Sequence, residues 1–224
     1  APALGCTGPT AVSYVAAEAA TAVGGTPERI VVKVGRHIGA KNGDVGIPGT
    51  KYVGLRMAAA LGALVGDASA GLNVLHNVTP ESEAAAHEFA MSGNVVVEVD
   101  LETEILGLFM DCTVYTDKGY GRAVVVKTHT GLVYREANGQ VQVDIPYDRI
   151  ASMNETHDPM ASYRLADFYH FATGMPLEEL LFLREAVTMN KTLCQSVLDG
   201  TAKGAGFGLS MMKGAEASPT RKGE

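Results

Sequence analysis

The chain has 224 residues, 46% hydrophobic and 19% charged, with 25 acidic against 18 basic side chains and a formal charge of −7. That length suits one large domain or two small ones around a buried core, and the acidic balance argues against nucleic acid or an anionic membrane surface as partner. The apolar content excludes disorder outside the polar end, and no apolar run reaches the ~18 residues of a bilayer span.

Taken in chain order, Pro9 opens an Ala-rich helix to Val23, with Thr7 as its N-cap and Gly24-Gly25 as its stop. Arg29–Val34 reads as a strand. Gly35–Tyr52 is a Gly-rich loop, too irregular for either period and long enough to imply function. Val53–Val65 is helical again, Asp67 or Ser69 caps a short helix through His76, and Pro80 opens a helix over Glu81–Ser92 with its carboxylates toward the N-terminal half. From Asn94 the runs turn short and β-branched: Val95–Val99, Leu106–Tyr115, Arg122–Lys127, Leu132–Glu136 and Gln140–Val143. Asn138-Gly139 between the last two is a type I′ hairpin signal. Helical patterns resume at Met160–Thr173 and Leu177–Leu198. Helices, a meander and helices again make an α+β fold, with the helices near 9–24, 53–65 and 178–199 packed on a mainly antiparallel sheet. Residues 1–214 read as one domain and 215–224 as a polar tail or linker.

Cys6, Cys112 and Cys194 are odd in number and form no CxxC pair. With no signal-peptide pattern, they place the chain in a reducing compartment, the cytoplasm. The opening residue is not Met, so a cut or processed start is expected.

The first ten residues carry the strongest chemical signal. A Gly-Cys-Thr-Gly turn running into a helix sets the Cys6 thiol and the Thr7 hydroxyl beside free backbone N–H groups, where a thiolate or a bound carboxylate is favoured. The structural alternative is that Cys6 is a small buried hydrophobe, as Cys112 and Cys194 are expected to be. Lys41 and Asn42 offer a cation and an amide suited to an amino-acid carboxylate, next to glycines that permit close approach; ordinary turn chemistry would explain them equally. His129, with Thr130 after it, ends a strand and could orient substrate or shuttle a proton, or serve structurally. The histidines and cysteines show no ligand spacing, so no metal site is assigned to this chain, and neither a phosphate loop nor GxSxG is present.

The order and spacing of Pro2-Ala3-Leu4-Gly5-Cys6-Thr7-Gly8-Pro9, Lys41-Asn42-Gly43, Pro48-Gly49-Thr50, Gly54-Leu55 and Ala58–Leu64 resemble the N-terminal half of the L-cysteine desulfidase family and its serine-dehydratase-like relatives. Glu104-Ile105-Leu106, His129-Thr130 and Asn190 continue the pattern. The resemblance implies a lyase that converts L-cysteine or L-serine to pyruvate and ammonia, releasing sulfide or water. In such an enzyme a [4Fe–4S] cluster on three cysteines acts as Lewis acid. Cys6 would be the base, and Thr7, Lys41, Asn42, His129 and Thr130 would hold the amino-acid substrate. The cluster cysteines belong to a C-terminal half that this chain does not reach, so no cluster is expected on it. Its partner would be that half or a cluster-bearing subunit, and a symmetric homodimer is compatible with either. Many relatives carry Glu where this chain has Gly8.

Two other readings stay open: a non-catalytic small-molecule binding or regulatory domain of the same fold, and a bare thiol enzyme pairing Cys6 with His129.

Overall fold

The computed structural model describes residues 6–43, 45–101, 108–146, 160, 162–201 and 213–214. It is an α+β fold that divides into two compact units, Ala3–Ile150 and Ala151–Glu224.

In the first unit, α1 (Thr7–Val23) leads into β1 (Pro27–Gly35), and α2 (Arg36–Lys41), α3 (Leu55–Val65), a 3-10 turn (Ala68–Asn73) and α4 (Pro80–Met91) follow. The strands β2 (Val95–Asp100), β3 (Phe109–Thr116), β4 (Gly119–Val126), β5 (Leu132–Ala137) and β6 (Gln140–Asp144) complete it. They form one six-stranded sheet in the order β2-β1-β3-β4-β5-β6. All pairings are antiparallel except β1 with β2, where Ile30 lies opposite Val95. Parallel neighbours need a long crossover, and the helices between Gly35 and Val95 provide it.

The core lies between these helices and one sheet face. Ile30, Val32 and Val34 of β1, Met110, Cys112 and Val114 of β3, and Ala123 and Val125 of β4 alternate into it, as the two-residue period of a strand requires. The opposite face carries a smaller apolar cluster of Phe109, Val124, Val126 and Val133, beside which Arg122 forks onto both oxygens of Asp111 at 2.7 and 2.9 Å and stacks over Tyr134.

Helix α1 is buried nearly all round, from Gly8 to Ala19, because it is gripped on two sides. A Cβ on Gly62 of α3 would run into the backbone of Ser13, and one on Gly121 of β4 into the carbonyl of Ala19. Only Gly and Ala allow backbones so close, which is why this helix shows Ala richness instead of an amphipathic stripe. Ser13 adds a hydrogen bond from its hydroxyl to the Ala58 carbonyl at 2.8 Å. Glu18 pairs with Arg135 of β5 at 2.8 Å, and burial together with that carboxylate raises the Tyr14 phenol above its ordinary range.

Several expectations are corrected here. Cys6, not Thr7, is the N-cap of α1, and Thr7 is its first helical residue. The segment 35–52 is not all loop, since α2 occupies Arg36–Lys41. The helix expected from Asp67 is a 3-10 turn, capped by Asp67 on the Ser69 amide and kinked at Gly71 (φ 57°). By contrast the mainly antiparallel sheet is as expected, with β1 and β2 its one parallel pair among the described strands. Asn138 and Gly139 both take positive φ, 51° and 79°, between β5 and β6, as a type I′ turn requires.

In the second unit, α5 (Leu165–Gly174) precedes a 3-10 turn (Leu177–Leu180) and α6 (Phe182–Leu198). The continuous helix expected over 177–198 is thus interrupted near Leu181. Neither α5 nor α6 buries a residue. Among the described residues no helix is long and apolar enough to cross a membrane. The expected tail 215–224, residues 2–5 of the opening motif and Glu104–Leu106 lie outside the described residues.

Candidate functional site

Cys6 sits in extended backbone (φ −69°, ψ 123°) ahead of α1 and does not use its sulfur as a cap. Its side chain is exposed. The Thr10 hydroxyl donates to the Cys6 carbonyl at 3.1 Å and holds this turn in place. With no side-chain cap, the first amides of α1 are left to other partners, and the positive end of the helix favours negative charge there.

Asn42 ends α2, and two of its groups converge on the Ile38 carbonyl: the backbone N–H at 3.2 Å and the side-chain Nδ2 at 2.8 Å. That fixes the amide's orientation, since Nδ2 must donate. The remaining oxygen, Oδ1, accepts from the Cys6 thiol at 3.5 Å. Asn42 is only 4% exposed. Gly8 provides the room, because a Cβ there would come within 2.7 Å of Asn42 Cγ. The volume that a Glu at this position would fill is therefore taken by the Asn42 amide.

Thr7 faces His129, with Oγ1 and Nε2 2.9 Å apart. His129 stands on the β4–β5 connection, which is tightened by Val126 N–H to the Gly131 carbonyl (2.9 Å) and turned at Lys127 (φ 63°). Burial lowers the pKa of the imidazole below its usual value, so the ring is neutral near pH 7.

The structure thus brings together four of the six sequence-derived candidates, as two pairs on adjacent residues of one turn. Lys41 and Thr130 are exposed, and among the described residues neither side chain has a hydrogen bond or ion pair. They are chain neighbours of Asn42 and His129. Among the described residues no hydrogen bond joins Cys6 to His129: the Cys6 thiol reaches Asn42, and the His129 Nε2 faces Thr7. The segment after Asn42 is folded on itself: Ile47 N–H reaches the Tyr52 carbonyl (3.1 Å), and Thr50 Oγ1 the Ile47 carbonyl (3.1 Å). Gly54 (φ 89°) lies against the Gly43 carbonyl, which ties the Lys41-Asn42-Gly43 corner to the start of α3. Gly8 is the residue that sequence reasoning undervalued; a second glycine beside a helix-start cysteine was the available signal.

One of the three cysteines, Cys112, is closed off from any cluster. Cys112 is wholly buried in β3, opposite Val32 and Ala123. Burial, and then the adjacent Asp111, push its thiol above the ordinary range. Among the described residues no group of three or more His, Cys, Asp or Glu could hold a metal.

The chain is similar to UPF0597 proteins from several bacteria. It is 38% identical to one of Photobacterium profundum over 201 residues, 89% of this chain and 46% of that protein. It is 36% identical over 208 residues to one of Oleidesulfovibrio alaskensis (92% of this chain, 46% of the relative). Against one of Parabacteroides distasonis the figures are 34% over 201 residues, again 46% of the relative. The chain therefore spans about half the length of the curated relatives it matches. No family model matches the chain, and no solved structure matches it. These relatives overturn the resemblance to L-cysteine desulfidase and serine-dehydratase-like proteins: similarity over nine-tenths of the chain runs to proteins named UPF0597, a name that states no activity.

Proposed function

We propose that the first unit is the substrate-facing part of a lyase that eliminates the β-substituent of a small L-amino acid, cysteine or serine, with Cys6 as the base. The observation that carries this reading is the exposed sulfur at the mouth of α1, placed against a buried amide from a segment 36 residues away. In the reaction, the Cys6 thiolate takes the α-proton, and the C–H electrons form the Cα=Cβ bond. The β-substituent departs as sulfide or hydroxide. The aminoacrylate becomes an imine that water hydrolyses to pyruvate and ammonia.

When the thiol ionises, the Asn42 oxygen loses its donor and is free to accept from the substrate's ammonium. The Thr7 hydroxyl and the first-turn amides of α1 face the carboxylate, and the neutral His129 fixes the Thr7 rotamer. No step is assigned to a cluster on this chain. Exposed free thiols at Cys6 and Cys194 are consistent with a reducing cytoplasm.

Calorimetry of the chain with L-cysteine and L-serine tests the reading. Binding that weakens in Asn42→Ala supports it, and binding indifferent to both Asn42→Ala and Cys6→Ala overturns it. The S–H···Oδ1 bond favours a second reading, a binding domain whose cysteine stays protonated. In that case Cys6→Ser binds as the parent does, and the chain joined to its other half still makes no pyruvate.

A further inference from the structure

Helix α6 is unlike the helices of the first unit. Where α1 and α3 are buried, α6 buries nothing, yet it carries Leu183, Val187, Cys194 and Leu198 at helical spacing along one stripe. Val187 is 53% and Leu198 46% exposed. Val187, Cys194 and Leu198 line an open groove of about 630 Å³ edged by Asn190 and Lys191. The Asn190 amide is folded back onto the Ala186 carbonyl at 2.8 Å, so the groove floor is apolar and its polar rim is partly satisfied. Helix α5 adds Phe168, Tyr169 and Phe171, all exposed. Amphipathic helices with their apolar stripe uncovered are half of an interface.

The relatives indicate what covers it. The matched stretch is 46% of each of the three proteins named above, so each carries at least as much chain again. We propose that the α6 stripe is the docking surface for that other half, whose complementary feature is an apolar ridge with an acceptor facing Lys191. This rests on the half-protein reading above but not on elimination chemistry.

Alkylation mapped by mass spectrometry reads the surface at Cys194. In the chain alone Cys194 should react as an exposed thiol at every protein concentration, while the buried Cys112 does not. Protection of Cys194 at all concentrations means that the chain covers its own stripe, and protection only at high concentration means that a second copy does; either result overturns the proposal. Co-expression with the unmatched half of the Photobacterium relative should then yield a soluble complex. In it, Cys194 alkylation should slow by at least about tenfold, since reaction now waits on opening. Val187→Glu should abolish the complex, and Cys6→Ala should leave it intact. Failure of that half to become soluble with the chain, or a complex in which Cys194 reacts unchanged, overturns the proposal. A complex that forms but makes no pyruvate overturns the lyase reading alone.

Discussion

The Asn42 side chain donates to the Ile38 carbonyl at 2.8 Å and presents its oxygen to the Cys6 sulfur at 3.5 Å. One amide therefore closes α2 and sets the position of a thiol at the N-cap of α1.

Asn42→Ala should remove both interactions at once. Stability to urea should fall by about 1–2 kcal/mol, the scale of one or two buried hydrogen bonds. Amino-acid affinity should fall by about tenfold, equivalent to a single lost contact. Unfolding curves and calorimetry on the same variant separate the two effects.

Gly8→Ala should be destabilising by about 1–3 kcal/mol, because the added methyl meets the Asn42 amide. The double variant with Asn42→Ala should be less damaged than the sum of the singles by at least about 0.5 kcal/mol. Strict additivity would refute a steric origin.

Alanine for glycine inside a helix ordinarily stabilises by about 1 kcal/mol. At Gly62 the sign should reverse, with a loss of about 2–3 kcal/mol, because the methyl would press on the Ser13 backbone and part α1 from α3. Thermal unfolding of Gly62→Ala checks it.

His129 gives a pH signature. Its folded pKa lies below the ordinary 6.5 because burial disfavours the imidazolium. The unfolded chain thus binds the proton first as pH falls, so stability drops from about 6.5 downward until the folded form also titrates. Urea midpoints between pH 7.5 and 5 should show this decline, and His129→Gln should flatten it.

Most elements were legible where a local rule governs them. Gly24 stops α1, Pro80 opens α4, and Asn138-Gly139 turns the last hairpin. Helix α2 was not legible, since six residues with one buried side chain, Ile38, are too few to display a period. The parallel pairing of Ile30 with Val95 was hidden for another reason: it depends on how intervening helices fold back, which no local pattern encodes. At the site, residue chemistry singled out Cys6, Thr7, Asn42 and His129, while Thr7 and His129 meet across 122 positions. Lys41 and Thr130 were chosen by the same chemistry, and only coordinates separate them from their neighbours.

The grip on α1 by Gly62 and Gly121 has a consequence for how selectivity could change over time. On the lyase reading, a shaft clamped on two sides cannot slide or rotate to widen a substrate mouth, so accommodation of bulkier molecules would fall to the Lys127–Gly131 bend and to the corner at Asn42. Variation in appetite among descendants of this protein should collect at those two places and spare the clamp.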